Sequence, residues 1–215
     1  MTTQLGFLLF VLLLLFLAAA FAVTLWARST GRKAVARFAI RGAGIGAASY
    51  AILLLGAGLL SRTTVLTAAE EKYFCELDCH LAYQVVGVTP VAASDGRWEV
   101  LLQTRFDETT ISARRPREAP TWPAPRRVEV IGSDGRSYPV QASTTSHGST
   151  ALTEPLVPGA RYVTRLESVL PAGVVPQQLK LQDDLFLTQL FIDNERSPFH
   201  APVLLALPSP TPAAS

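Results

Sequence analysis

Two transmembrane helices followed by an all-β sandwich is the fold class that this sequence predicts, on three observations. Two long uncharged apolar runs open the chain. Short segments rich in β-branched and aromatic residues, separated by Gly, Pro and Asp turn signals, fill most of the remainder. No long amphipathic helical period follows the second run. The part after the two runs holds a domain of roughly 140 residues, enough for one hydrophobic core without metals or several disulfides.

The first run, Leu5 to Ala27, carries no charge. At a helical rise of about 1.5 Å per residue it reaches roughly 34 Å, the depth of a hydrocarbon core. Met1 to Gln4 holds no Lys or Arg, and Ala18-Ala19-Ala20 lies inside the run rather than after it. The run also exceeds the usual h-region of about 7–15 residues, so a retained helix is expected rather than a cleaved signal peptide. The second run, Gly42 to Leu60, lies between Arg41 and Arg62, and Phe38 to Ile40 extend it if Arg41 snorkels. The loop between the runs carries Arg28, Arg32, Lys33, Arg37 and Arg41 and no acidic residue. Such loops stay on the cytoplasmic side. The expected location is therefore a bacterial cytoplasmic membrane, with the N-terminus and everything after Ser61 outside it, periplasmic or extracellular.

All 17 acidic residues follow Arg62, so the whole-chain charge of +2 reflects the loop and not the exported part. Nothing resembles a nucleic-acid patch, and nucleic acid is not an expected partner. Gly42 and Gly46 form a small-xxx-small pair, with Gly44, Gly56 and Gly58 nearby. That pattern serves close helix packing or is ordinary membrane-helix glycine. The expected organisation is a hairpin over 1–61 (spans about 5–27 and 42–60, loop 28–41), a linker over 62–72, a sandwich over 73–207 and a disordered tail over 208–215.

Within the sandwich, Leu81 to Val91 is a β-branched strand and Asp95-Gly96 a turn. Trp98 to Phe106 alternates, with Trp98, Val100, Leu102 and Thr104 on one side and Leu101, Gln103 and Arg105 on the other. Asp107 to Pro125, broken by prolines, is a loop. Val128–Ile131 and Ser137–Val140 flank Ser133-Asp134-Gly135-Arg136 and predict a hairpin. Gln141 to Thr153 is Ser/Thr-rich, and Val157-Pro158-Gly159 is a turn. Tyr162–Leu170, Gln178–Gln182, Phe186–Ile192 and Val203–Leu207 are the remaining expected strands.

Three motifs carry a resemblance. Asp134-Gly135-Arg136-Ser137-Tyr138, then Leu156-Val157-Pro158-Gly159, then a strand ending at Leu170-Pro171, resemble the telokin-like immunoglobulin domains of bacterial surface proteins. The run Phe74 to Tyr83 is similar to one in uncharacterised bacterial proteins that anchor such domains in the membrane. The resemblance covers about Tyr73 to Leu207. It implies an immunoglobulin-like sandwich and no particular activity. The Cys–Trp–Cys spacing of antibody domains is absent, because both cysteines lie at the front edge of the domain.

Those cysteines, Cys75 and Cys79, with His80 beside them, are the densest chemistry in the chain. Four readings stay open. A disulfide suits an oxidising compartment, but positions i and i+4 reach each other only if Glu76-Leu77-Asp78 turns; an extended strand separates them by about 13 Å. A Cu(I) site can use both thiolates with His80 or His200, although Met1 is the only methionine. Thiol exchange is opposed by Glu70, Glu71, Glu76 and Asp78, which raise thiol pKa. Haem attachment wants Cys-x-x-Cys-His, and this stretch has one residue too many.

Elsewhere, Asp107-Glu108 and Asp183-Asp184 are expected to be solvated, as is His147, and no catalytic set stands out. Arg114, Arg115, Arg117, Arg126 and Arg127 form a basic stretch suited to headgroups, an acidic partner or plain solvation. The expected function is a non-enzymatic, membrane-anchored binding or envelope-assembly module. Its partners are the lipid bilayer and an envelope protein, and no cofactor is expected. The alternative is a copper-handling or redox accessory protein using Cys75, Cys79, His80 and His200.

Overall fold

A computed structural model describes residues 2–74, 80–92, 96–111, 115–142, 150–183 and 186–209. The chain divides into two units, Met1–Arg62 with Leu185–Ala201, and Thr63–Asp184 with Pro202–Ser215.

The first unit is built on α1 (Thr2–Ser29) and α2 (Lys33–Leu60), both long and apolar enough to cross a bilayer. Large apolar side chains stand exposed along both, among them Leu15, Phe21, Ile52 and Leu60. A helix apolar on every side is not the core helix of a small soluble domain. Ser29 and Thr30 hydroxyls both donate to the carbonyl of Trp26 and close α1. The expected loop over 28–41 is much shorter than predicted. Arg37 and Arg41 are good helix formers, so α2 starts at Lys33 and the run 42–60 is its C-terminal part. A Cβ at Gly46 would lie 2.7 Å from the Phe16 ring, so glycine lets the two helices meet there. Nothing approaches Gly42 within 4 Å.

Phe186–Ile192 is not the strand expected from its apolar pattern. A 3₁₀ helix, Phe186–Leu190, opens a series of turns that pack on the hairpin. Its backbone groups are satisfied locally instead of by a sheet. Phe191 N–H donates to Thr188 C=O (3.2 Å), Asn194 to Phe191 (3.3 Å), Ser197 to Asn194 (2.9 Å) and His200 to Ser197 (3.1 Å). Phe191 meets Phe7 and Phe10 at ring distances of 5.3 and 5.5 Å. The Tyr50 hydroxyl donates to Leu190 C=O at 2.6 Å, and Ala201 N–H donates to Ser61 Oγ at 2.7 Å. Gly6 and Gly58 supply the clearance, since a Cβ on either would collide with the carbonyl of Ile192 or Pro198.

The second unit holds two five-stranded sheets. The strands are β1 (Thr64–Leu66), β2 (Lys72–Tyr73), β3 (Leu81–Ala92), β4 (Arg97–Phe106), β5 (Arg127–Gly132), β6 (Ser137–Pro139), β7 (Gln141–Ala142), β8 (Arg161–Val169), β9 (Pro176–Gln182) and β10 (Val203–Ala206). Sheet order is β1-β10-β9-β5-β6 in one and β2-β3-β4-β8-β7 in the other. Pairing is antiparallel except between β1 and β10. Both sheets feed one core: Tyr83, Val85, Val100, Leu102, Phe106 and Leu166 from the second sheet, and Val130, Leu179, Leu181 and Leu205 from the first. This is sandwich packing, and it follows from the period-2 alternation of strands such as β4 and β8.

The predicted linker over 62–72 belongs to this unit from Thr63 onward. β1 and β2 are too short to show a period, and they owe their strand state to pairing with β10 and β3. The hairpin predicted around Asp134 forms β5 and β6. Its turn is fixed by Asp134, which accepts from Arg136 N–H (3.1 Å) and from the Tyr138 hydroxyl (2.6 Å). The Asp95-Gly96 turn is described only at Gly96, whose φ is +60°. The tail beyond Ser209 lies outside the described residues.

Candidate functional site: the outer face of the second sheet

Alternation along β4 turns Val100, Leu102, Thr104 and Phe106 inward and leaves Glu99, Leu101, Gln103 and Arg105 on the outer face. Register extends that face across the sheet. Arg105 sits between Ala82 and Arg161, Gln103 between Gln84 and Val163, Leu101 between Gly87 and Arg165, and Glu99 between Thr89 and Glu167. The result is a half-exposed surface of both charge signs with few large apolar groups.

Its most organised part lies where β2 joins the sheet. Arg105 grips Glu71 with two bonds, Nε to Oε1 at 2.9 Å and Nη2 to Oε2 at 2.7 Å. The Tyr73 hydroxyl stands 2.9 Å from Glu71 Oε2 and 2.9 Å from Asp107 Oδ2, and Arg105 Nη2 donates to it at 3.2 Å. Tyr73 has one proton to give, so it serves one carboxylate at a time, and the single charge of Arg105 faces both. Asp107 also accepts from the Thr109 hydroxyl (2.7 Å) and backbone N–H (3.1 Å). These bonds, the Thr109 hydroxyl first, hold its carboxyl at about 2. The Arg105 bond holds Glu71 below the usual carboxylate range, and burial with two carboxylate neighbours pushes the Tyr73 phenol up. Asp107 is therefore not the solvated loop carboxylate the sequence suggested; it is 9% exposed. Asp183, also expected to be solvated, is buried at the end of β9. A second pair, Arg165 with Glu99 at 3.1 Å, crosses the same face.

His80 borders this cluster. Its ring stacks on Phe106 (5.5 Å, 16° between planes), and Nδ1 lies 2.6 Å from Thr110 Oγ1. That hydroxyl donates to the backbone carbonyl of Asp107 at 2.7 Å, which leaves it to accept from His80 Nδ1–H. The threonine is thus not activated as a nucleophile. His200 belongs to the other unit, where its ring bonds Ala201 C=O (2.8 Å) and faces Asp193 (3.3 Å). Cys75 and Cys79 lie outside the described residues, as does His147. Among the described residues, no three His, Cys, Asp or Glu come together as a metal would need.

In the basic stretch Arg117, Arg126 and Arg127 are exposed and Arg115 is half-buried. Arg115 lies over the Phe106 ring at 5.6 Å and bonds Thr121 Oγ1, Arg117 pairs with Glu108 (3.4 Å), and Arg126 donates to Pro123 C=O (2.7 Å). Arg114 is outside the described residues. Of the site residues, sequence alternation had placed Arg105 on the polar side of its strand. The gathering of Glu71, Tyr73 and Asp107 around it depends on the β2–β3–β4 register, which no local signal encodes.

No family model matches the sequence, and no curated protein matches it. Among solved structures, the chain is similar to the secreted protein MPT63 of Mycobacterium tuberculosis. Identity is 9% and the TM-score 0.45, over 67% of this chain and 98% of that one.

Proposed function

We propose that this chain is a membrane-anchored binding or envelope-assembly module. In this account α1 and α2 hold an immunoglobulin-like sandwich outside a bacterial cytoplasmic membrane, and the outer face of the second sheet engages an envelope protein. The observation that carries the proposal is the mixed-sign face built by Arg105, Glu71, Asp107, Arg165 and Glu99. Paired charges of both signs on a flat sheet suit a protein surface of complementary pattern. They steer encounter and select partners more than they add affinity. Neither a polyanion nor a lipid surface would be selected by such a face.

A Cys75–Cys79 disulfide is part of this reading, on the ground that paired cysteines outside the cytoplasm are usually bridged.

The test is photocrosslinking in the native host from position 103, at the centre of the face. A discrete adduct with an envelope protein that disappears on Arg165→Glu supports the proposal. Absence of any adduct from positions 84, 103 and 163 contradicts it.

A further inference from the structure

Residues 186–201 bury Phe191 against the hairpin but otherwise bury polar side chains and expose apolar ones. Thr188, Asn194 and Ser197 are 0%, 3% and 4% exposed, whereas Phe186, Leu187 and Phe199 are 67%, 50% and 70% exposed. In water that arrangement leaves apolar surface uncovered and gains nothing for its buried polar groups. In a bilayer it is the favourable one, because apolar side chains face lipid and every backbone polar group finds a partner inside the protein. In the run of turns from Thr188 to His200, the N–H groups of Phe191, Asn194, Ser197 and His200 bond carbonyls of the same run, the Tyr50 hydroxyl bonds Leu190 C=O, and Ala201 N–H bonds the Ser61 hydroxyl. Asn194 adds its side-chain oxygen, which accepts from Arg196 N–H at 2.8 Å, and its carbonyl accepts from the Ser197 hydroxyl at 2.7 Å.

The depth can be read along α2. Ala201 is bonded at Ser61, just past the helix end, and Leu190 at Tyr50. At about 1.5 Å per residue those two levels are roughly 16 Å apart, half of a hydrocarbon core about 30 Å thick. Ile192 and Pro198, on either side of the charged stretch Asp193–Arg196, press on Gly6 and Gly58 near the outer ends of the two helices. Asp193–Arg196 lie between these contacts, with Leu190 and Ile192 at the Tyr50 level and Pro198 at the Gly58 level.

We propose that residues 186–201 are a third membrane-embedded element, a re-entrant insertion between β9 and β10 whose Phe186, Leu187 and Phe199 contact phospholipid acyl chains in the outer half of the bilayer. The proposal rests on the reading of α1 and α2 as spanning.

The experiment places p-benzoylphenylalanine at 186, 187 or 199 of the full chain in phosphatidylethanolamine–phosphatidylglycerol nanodiscs, followed by photolysis and intact mass. Position 21 on α1 is the lipid-facing control, and position 136, in the β5–β6 turn, the aqueous control. Phospholipid adducts at 186, 187 and 199 as at 21, with none at 136, are expected. Adducts at 21 but not at these three positions overturn the insertion while leaving the spanning helices intact. Crosslinks from them to a second copy of the chain overturn it equally. Loss of adducts at 21 as well removes the spanning reading and this proposal together.

Discussion

The phenol of Tyr50 gives its proton to the carbonyl of Leu190 at 2.6 Å, joining the middle of α2 to a turn 140 residues later in the chain. The bond makes the helical unit more than a hairpin, because a piece of chain between two sandwich strands is fastened to it. Tyr50→Phe keeps the ring that faces Phe10 and removes only the donor. The expected cost is about 1 kcal/mol, seen as roughly 5-fold faster amide exchange over 186–192 with the sandwich unchanged. Unchanged exchange in that segment would contradict the assignment.

Gly58 makes the same junction by clearance. Gly58→Val drives side-chain atoms into the Pro198 carbonyl, and a bulkier residue in a packed contact costs about 1–3 kcal/mol. Limited trypsinolysis in detergent should then cut after Arg196 faster than in the parent. Gly56→Val, where nothing lies within 4 Å of the added Cβ, should leave the rate unchanged.

Acid stability should carry the signature of the Arg105 cluster. Asp107 is held at about 2 in the fold, against an unfolded value near 3.9. The folded form is the weaker proton binder, so its contribution is complete above about pH 4 and is lost as pH falls toward 2, at most about 2 kcal/mol. Glu71 shifts in the same direction. Asp107→Asn should lower stability near neutral pH and flatten this acid limb in urea titrations between about pH 2 and pH 6. Parallel limbs for the two proteins would remove the cluster as their cause.

Cys75 and Cys79 are expected to be bridged. Aerobically purified full chain should give no thiol with Ellman's reagent in denaturant, and both cysteines should react after reduction. Stoichiometric copper that vanishes on Cys79→Ser would replace the staple with a metal site.

The strands that carried a period were legible. Trp98 to Phe106 alternates clearly enough to assign each face, and the Asp134-Gly135 turn announces β5 and β6. β1 and β2 were not legible, because two or three residues hold no period and their conformation comes from distant partners. Phe186–Ile192 misled for the opposite reason. Its apolar pattern is genuine, but those side chains stand against the hairpin or in the open and not in a sheet. The site was half legible: alternation placed Arg105 outward, but its grip on Glu71 needs the register of three strands.

The central claim, a hairpin that carries the sandwich across the membrane to the outside, is tested most directly by reporter fusions in the bacterial host. Alkaline phosphatase joined after Ser209 should be active and a fluorescent protein there dark, with the opposite pair of results after Arg32. An active phosphatase after Arg32, or fluorescence after Ser209, would contradict the account.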